Sequence, residues 1–229
     1  MHEQMAPLGY GQITGIDIQG ESRGILPSTD WKRKAYPRPE QRRWYAGETI
    51  SLGIGQGYNN FTMLQLAHAT ATLAANGLKM KPHLVSSVID VVTHASEPIA
   101  KQPLAQLQIK PQNIEVIKKA LIGVNVEGTG ASAFRGASYI SAGKTGTAQV
   151  VQIKANEKYD ASKVDERHRD HALFMAFAPA DEPQIALAMV VENAGFGAQN
   201  AAPIARRVFD YWLQGLYPTV TDLAAVQKG

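Results

Sequence analysis

The run Lys144-Thr145-Gly146-Thr147 combines residue types that can recognise an anionic peptide end. Lysine brings a fixed positive charge, threonine brings hydroxyls that can bind a carboxylate, and glycine lets a second backbone approach closely. In a strand, Lys144 and Gly146 would share one face and the two threonines the other. Backbone groups beyond the glycine could pair with an extended peptide, and an N–H could serve an oxyanion. By itself the run also fits an ordinary strand that ends in a turn.

The elements around this run follow from apolar patterning. Strands are predicted over residues 139–151, 172–178 and 185–192, with a polar segment at 152–171. The last two strands are separated only by Pro179-Ala-Asp-Glu-Pro183, which predicts an antiparallel hairpin. A further β-branched segment, residues 83–92, is predicted as a strand that need not join the main sheet.

Helices are predicted over residues 62–76, 111–124 and 202–213. For the first, the spacing predicts an inward face of Met63, Leu66, Ala67, Thr70, Leu73 and Ala74. For the second it predicts Ile114, Ile117, Leu121 and Val124, and for the third Ile204, Val208, Tyr211 and Trp212. The fold class is therefore α/β of the α+β type, an antiparallel sheet flanked by helices.

Composition sets limits on function. The 229 residues suggest one domain or a large part of one, and a net charge of +3 is weak support for nucleic-acid binding. The absence of cysteine excludes disulfides, cysteine-ligated zinc and thiol catalysis. No apolar stretch reaches the ~18 residues of a transmembrane helix, and Met1-His2-Glu3-Gln4 does not begin a signal peptide.

Five ordered segments carry a resemblance to a known family. They are Leu8-Gly-Tyr-Gly11 with Thr14-Gly-Ile-Asp17, Gly53-Ile-Gly-Gln-Gly-Tyr58 with Leu64-Gln65-Leu66-Ala67, Ala142-Gly-Lys-Thr-Gly-Thr-Ala-Gln-Val150, Glu166-Arg-His-Arg-Asp-His171 with Phe174-Met-Ala-Phe-Ala-Pro179, and Val191-Glu-Asn193 with Gly195. Over nearly its whole length the chain resembles the penicillin-binding protein 2 family, the class B transpeptidases of cell elongation. Lys-Thr-Gly is one of three motifs found in penicillin-binding proteins and class A β-lactamases.

The resemblance implies a fold like that of serine β-lactamases and transpeptidases, and a two-step reaction. A serine attacks the penultimate D-alanine carbonyl of a stem peptide, D-alanine leaves, and an amine of a second stem peptide resolves the acyl-enzyme. Lys144 is then expected to be the catalytic cation, with Thr145, Gly146 and Thr147 binding substrate. β-Lactams mimic the D-Ala-D-Ala end and trap the serine.

Two motifs of the family are absent from residues 1–229. The single Ser-x-x-Lys match, Ser141-Ala-Gly-Lys144, overlaps the strand motif and does not begin a helix, as a nucleophile and its lysine would require. Ser-x-Asn does not occur, and Tyr58-Asn59-Asn60 matches its Tyr-x-Asn variant only by coincidence. By resemblance both motifs lie upstream. Residues 1–229 are therefore expected to be the C-terminal portion of a transpeptidase domain, truncated on its N-terminal side, with a partly exposed core and no activity alone.

The resemblance also implies partners and a location. The partners are peptidoglycan stem peptides ending in D-Ala-D-Ala, β-lactams and the membrane glycosyltransferase of the elongation complex, and the location is the periplasmic face of the bacterial inner membrane. No cofactor, metal or nucleic acid is expected.

Other readings stay open at this point. A serine β-lactamase-like hydrolase and a non-catalytic penicillin-binding or sensor domain would share the fold. His168 and His171 have the spacing of a metal site, although a solvated charged segment fits better because no third ligand is placed. The basic, proline-containing segment 31–43 is interpreted as an exposed loop, or as a docking surface for an anionic partner.

Overall fold

The computed structural model describes residues 2–150 and 164–219. The chain divides into two compact units, Met1–Ile109 and Lys110–Gly229, called here the N-terminal unit and the C-terminal unit. In the part that the structure describes, no helix is both long and apolar enough to cross a membrane.

The N-terminal unit contains short elements joined by long irregular segments. Its helices are α1 His2–Met5, α2 Thr29–Ala35, α3 Ala46–Gly53 and α4 Met63–Ala74, with 3-10 turns at Ala6–Leu8 and Pro39–Arg42. Its strands are β1 Leu78–Met80, β2 Ser87–Ile89, β3 Ser96–Pro98 and β4 Pro103–Gln106, which pair antiparallel as β1 with β4 and β2 with β3.

The strand predicted over residues 83–92 is wrong outside Ser87–Ile89. Val91 and Val92 are 87% and 83% exposed in a turn. The Asp90 carboxylate accepts hydrogen bonds from the N–H groups of Val92 and Thr93, at 2.9 and 2.7 Å. A side chain that satisfies the turn backbone ends the strand that β-branched composition favoured.

Helix α4 begins and ends where the sequence predicts. Thr62 and Gln65 form a capping box, and Asn76 and Gly77 end the helix with φ of 56° and 88°. The buried face differs from the prediction, since the buried residues are Gln65, His68, Ala69, Thr70, Thr72 and Ala74. Only Thr70 and Ala74 belong to both sets. The polar residues are buried because each bonds a backbone carbonyl, as when Gln65 Nε2 donates to Gln12 O and Arg23 O at 2.6 and 2.7 Å.

The interpretation of the basic segment 31–43 as an exposed loop is wrong in part, because residues 31–35 belong to α2 and Lys32 is buried. Its ammonium donates to Arg43 O at 2.8 Å and pairs with the Glu48 carboxylate. Four aromatic rings lie within about 6 Å of it, those of Tyr36, Trp44, Tyr45 and Tyr58. The cluster formed by Lys32, Glu48 and these rings, called here the lysine cluster, anchors the loop between α2 and α3.

The C-terminal unit holds the main sheet. Its strands are β5 Ala142–Ala148, β6 His171–Ala178 and β7 Ile185–Val191, in the order β5-β6-β7 and antiparallel throughout. Its helices are α5 Pro111–Val126, α6 Ala131–Phe134, α7 Gly197–Asn200 and α8 Ala202–Gln214, with a 3-10 turn at Glu166–His168. The α/β class, the antiparallel sheet and the β6–β7 hairpin are as predicted. The strand predicted over residues 139–151 is shorter in the structure, Ala142–Ala148. Residue 151 of that prediction and residues 152–163 of the polar segment lie outside the described residues.

One face of this sheet packs on α8 and α6. Alternate residues of β6, among them Ala172, Phe174 and Ala176, meet Phe134, Ala205 and Phe209 in a buried core. The inward face predicted for α8 is wrong: Ile204, Val208, Tyr211 and Trp212 are 37%, 39%, 47% and 62% exposed. The helix instead turns its alanines and Phe209 to the sheet, because small side chains on both sides let helix and strand approach closely.

Helix α5 extends two residues beyond the predicted end. Ile114 is buried as predicted, but Ile117 is 43% exposed, so that part of the predicted face is wrong.

Candidate functional site

Strand β5 carries the Lys-Thr-Gly run and, among the residues that the structure describes, is an edge strand of the main sheet. Its register with β6 is continuous, so the predicted alternation of side chains is preserved. Lys144 and Gly146 lie on the face of Met175 and Leu173, and Thr145 and Thr147 lie on the face of Phe174 and Ala172. Alternate backbone N–H and C=O groups of β5 point away from β6, where an extended peptide could pair with them.

Lys144 is exposed, and its ammonium donates to the carbonyl of Thr145 at 2.8 Å. The cation is therefore held against the strand by a backbone oxygen, with two of its three protons left for other acceptors. This places a positive charge beside the strand edge.

Gly146 and the glycines near it allow close backbone packing. A Cβ on Gly197, the first residue of α7, would lie 2.2 Å from Leu173 O and 2.5 Å from Gly146 O. A Cβ on Gly143 would lie 2.7 Å from Phe174 Cζ. A Cβ on Gly146 would make a closer contact than usual, 3.3 Å from Leu173 Cβ, but a less severe one than at Gly143 or Gly197. Gly197 thus presses its backbone directly onto the Lys-Thr-Gly strand, a role that its sequence position did not reveal.

Ser141 does not have the environment of a nucleophile. It is 3% exposed, lies just before β5, and its hydroxyl accepts a hydrogen bond from Asn125 Nδ2 at 2.9 Å. Asn125 is 4% exposed, so this contact is a buried tie between α5 and the start of the strand. The geometry agrees with the sequence-based rejection of Ser141.

Thr145 contacts a residue, Thr129, that the sequence analysis does not identify. The hydroxyls of Thr129 and Thr145 lie 2.8 Å apart. Thr129 stands between Gly128 and Gly130 in the loop that follows α5. A threonine flanked by two glycines shortly before a strand motif is the one sequence signal that could have singled it out.

The ends of β6 and β7 are held by polar contacts. Asp170 is buried and accepts from Val150 N at 3.4 Å, and Asn193 N donates to His171 Nδ1 at 2.8 Å. That bond occupies one ring nitrogen of His171. Among residues 2–150 and 164–219, no three His, Asp or Glu side chains are grouped to hold a metal ion.

The residues that match Tyr-x-Asn have structural contacts in the N-terminal unit. The Tyr58 hydroxyl donates to Glu48 at 2.9 Å, Asn59 Nδ2 donates to Leu52 O at 3.2 Å, and Asn60 pairs through its backbone with Ile25. Burial, followed by the Glu48 hydrogen bond, raises the pKa of Tyr58 above its usual range.

Comparison with known proteins gives a consistent set of similarities. The penicillin-binding protein transpeptidase domain model matches residues 1–210. Peptidoglycan D,D-transpeptidase MrdA of Haemophilus influenzae is 42% identical over 221 residues, which cover 94% of this chain and 33% of that protein. The chain thus spans about a third of the length of this curated relative.

Two solved structures extend the similarity to the fold. The crystal structure of Pseudomonas aeruginosa PBP2 in complex with WCK 5153 superposes with a TM-score of 0.74 at 36% identity, covering 93% of this chain and 43% of that one. A chain from a peptidoglycan synthase complex, described for its coordination of polymerization and crosslinking, superposes with a TM-score of 0.70 at 28% identity, covering 95% and 33%.

Proposed function

The chain belongs to the penicillin-binding protein transpeptidase family, and from that premise we propose that it forms the substrate-binding wall of a peptidoglycan D,D-transpeptidase. The observation that carries the proposal is β5, an edge strand with an exposed lysine, a glycine that fits under a neighbouring backbone, and two threonines. An extended stem peptide would pair with the free edge of this strand.

The proposed roles divide the end of the substrate between several groups. Lys144 supplies positive charge beside the reacting serine and the substrate anion, and the hydroxyls of Thr145 and Thr147 receive the terminal carboxylate of D-Ala-D-Ala. Gly146 lets the Gly197 backbone pack against the strand, and the N–H of Thr147 is the proposed oxyanion donor. β-Lactams would occupy the same edge.

The nucleophile is proposed to come from polypeptide outside these 229 residues. Support comes from the buried, hydrogen-bonded state of Ser141 and from the chain's coverage of about a third of MrdA. The sequence encoded upstream of Met1 tests this directly, since the proposal requires a Ser-x-x-Lys there. The chain alone should not be labelled by a fluorescent penicillin, and covalent labelling of it would overturn the assignment.

Binding is tested without the nucleophile. Titration of the ¹⁵N-labelled chain with an N-acylated peptide ending in D-Ala-D-Ala should shift the amides of residues 144–147, and an L-Ala-L-Ala peptide should not. Lys144→Met should weaken this binding about 10-fold or more, because a charge-assisted hydrogen bond is lost. Lys119→Met, on an exposed ion pair of α5 with Glu115, is the matched control. Equal affinity of Lys144→Met and wild type would contradict the proposed role.

Location and partner are proposed on the same footing. The active polypeptide would face the periplasm from the bacterial inner membrane and work with a membrane glycosyltransferase of cell elongation, in line with the similarity to a chain of a peptidoglycan synthase complex. Protease accessibility in spheroplasts, read with an antibody against this chain, tests the location. Crosslinking in cells followed by identification of the crosslinked partner tests the assembly. Protection of the chain from protease would contradict the location, and crosslinked material without a glycosyltransferase would contradict the partner.

A further inference from the structure

We propose that Thr129 is a positioning residue, whose hydroxyl fixes the rotamer and the proton direction of Thr145. The contact that carries this is the 2.8 Å distance between the two hydroxyl oxygens. The identity of the ligand, a substrate carboxylate, rests on the proposed function. The orienting contact itself does not.

The loop that carries Thr129 has a backbone fixed on both sides. Gly128 N donates to Gly123 O and Gly130 N donates to Val124 O, both at 2.9 Å, which closes the end of α5. A Cβ on Gly128 would lie 2.8 Å from Val124 Cα, and a Cβ on Gly130 would lie 2.4 Å from Asn125 Oδ1. Neither Gly128 nor Gly130 has room for a side chain. Thr129 therefore lies in a loop whose backbone is closely packed and hydrogen-bonded on both sides.

A second, buried tie holds the same two segments together. Asn125 Nδ2 donates to Ser141 Oγ at 2.9 Å, and both residues are more than nine-tenths buried. Thr129 lies four residues after Asn125, and Thr145 lies four residues after Ser141. The buried Asn125–Ser141 hydrogen bond sets the spacing between α5 and β5. The Thr129–Thr145 contact then acts on the side chain that faces the ligand.

The chemical consequence lies in the single proton of each hydroxyl. When Thr129 donates to Thr145 Oγ1, the proton of Thr145 remains available to a carboxylate, and its direction is restricted by the bond it has accepted. Without that bond a half-exposed threonine on an edge strand can rotate about χ1. Thr129 therefore acts through Thr145 rather than on the substrate.

The first experiment measures the rotamer in the 229-residue chain, without any ligand. Scalar couplings report χ1 of Thr145 in wild type, Thr129→Val and Thr129→Ser, with Thr147 as the internal reference. We expect one rotamer in wild type, averaging in Thr129→Val, and one rotamer again in Thr129→Ser, while Thr147 does not change. A Thr145 side chain that keeps one rotamer in Thr129→Val overturns the proposal.

The second experiment measures affinity for an N-acylated D-Ala-D-Ala peptide. Thr129→Val should weaken binding about 3- to 10-fold, the range of one net hydrogen bond, and Thr129→Ser should restore it. In a Thr145→Val background, Thr129→Val should have no further effect, because its influence passes through Thr145. Equal affinity of Thr129→Val and wild type, or additive losses in the double variant, overturns the proposal. A wild-type chain that does not bind the peptide contradicts the proposed function, and the rotamer result then decides the role of Thr129.

Discussion

The two units are stabilised by different kinds of side chain. In the C-terminal unit, alanines and phenylalanines of a three-stranded sheet pack on α6 and α8. In the N-terminal unit, buried polar side chains take the central places, with Lys32 at 3%, Gln65 at 1% and His68 at 8% exposure. All three bond backbone carbonyls.

The difference follows from the amount of regular backbone. In the C-terminal unit, strand ladders satisfy the backbone groups, and side chains are free to be apolar. In the N-terminal unit, long irregular segments leave carbonyls such as those of Gln12, Arg23 and Arg43 for side chains to satisfy. Removal of a buried polar side chain should therefore destabilise the N-terminal unit, just as truncation of a buried apolar side chain should destabilise the C-terminal unit.

The largest expected effect is in the C-terminal unit. Phe174→Ala removes a ring that is 1% exposed and stacks on Phe134, and it should lower the free energy of unfolding by about 3–5 kcal/mol. Denaturant titration monitored by hydrogen exchange of peptides should assign the loss to residues 110–219. Leu216→Ala, at a 55% exposed position, should cost little. A matching loss of protection in the N-terminal unit would argue against separate stabilisation.

Lys32→Met should have the largest effect in the N-terminal unit. It leaves the Glu48 carboxylate, which is 19% exposed, without its cation, and a loss of about 3 kcal/mol is expected for breaking a buried pair. Arg33→Met is the matched control on the same helix. It breaks an exposed pair with Asp30 and should cost less than about 0.5 kcal/mol. If both variants unfold at the same urea concentration, the lysine cluster is not a stabilising element.

Gln65→Leu keeps the size of the side chain and removes its donor. The carbonyls of Gln12 and Arg23, which belong to exposed residues, then lose their partner, at a combined cost of about 1–3 kcal/mol. Protection from hydrogen exchange should fall around residues 12–23 first. A variant as stable as wild type would mean that packing, not hydrogen bonding, keeps Gln65 in place.

His68 gives the smallest effect, and it depends on pH. Burial lowers the pKa of His68; Lys79 lowers it further, while the bond to Met80 O and Glu21 oppose the shift. Because the unfolded chain takes up the proton first, stability is full above a pH of about 6.5 and falls below it, by at most about 1.4 kcal/mol per pH unit.

His68→Gln tests this dependence, because glutamine can donate to Met80 O but does not titrate. The melting temperature of the N-terminal unit should fall between pH 6.5 and 5 in wild type and fall less in His68→Gln. Parallel curves would assign the acid sensitivity to other groups.

The sequence predicts regular elements well where the apolar pattern agrees with the residues that cap helices and form turns. The β6–β7 hairpin follows from two apolar runs around Pro179 and Pro183, and α4 follows from Thr62 and Gly77 at its ends. The sequence predicts a strand for the Lys144 run, and the predicted alternation of faces is present in β5.

Orientation is predicted less well, because periodicity favours the largest apolar side chains. In α8 the close fit of Ala202 and Ala205 against the sheet outweighs burial of Trp212. In α4 the hydrogen bonds of Gln65 to two backbone carbonyls offset the cost of burying its polar side chain. The contact of Thr129 with Thr145 joins residues 16 apart, and no local pattern encodes such a pair.

Strand β7 has a consequence for how the chain behaves in solution. Its residues Ile185–Val191 include no charge and no proline, and within the described residues it pairs on one side only. A strand of this composition, with an edge that no described residue pairs with, is a template for addition of another strand, including one from a second molecule. We therefore expect the chain to self-associate as protein concentration rises, and we expect this edge to determine that association more than the net charge of +3 does.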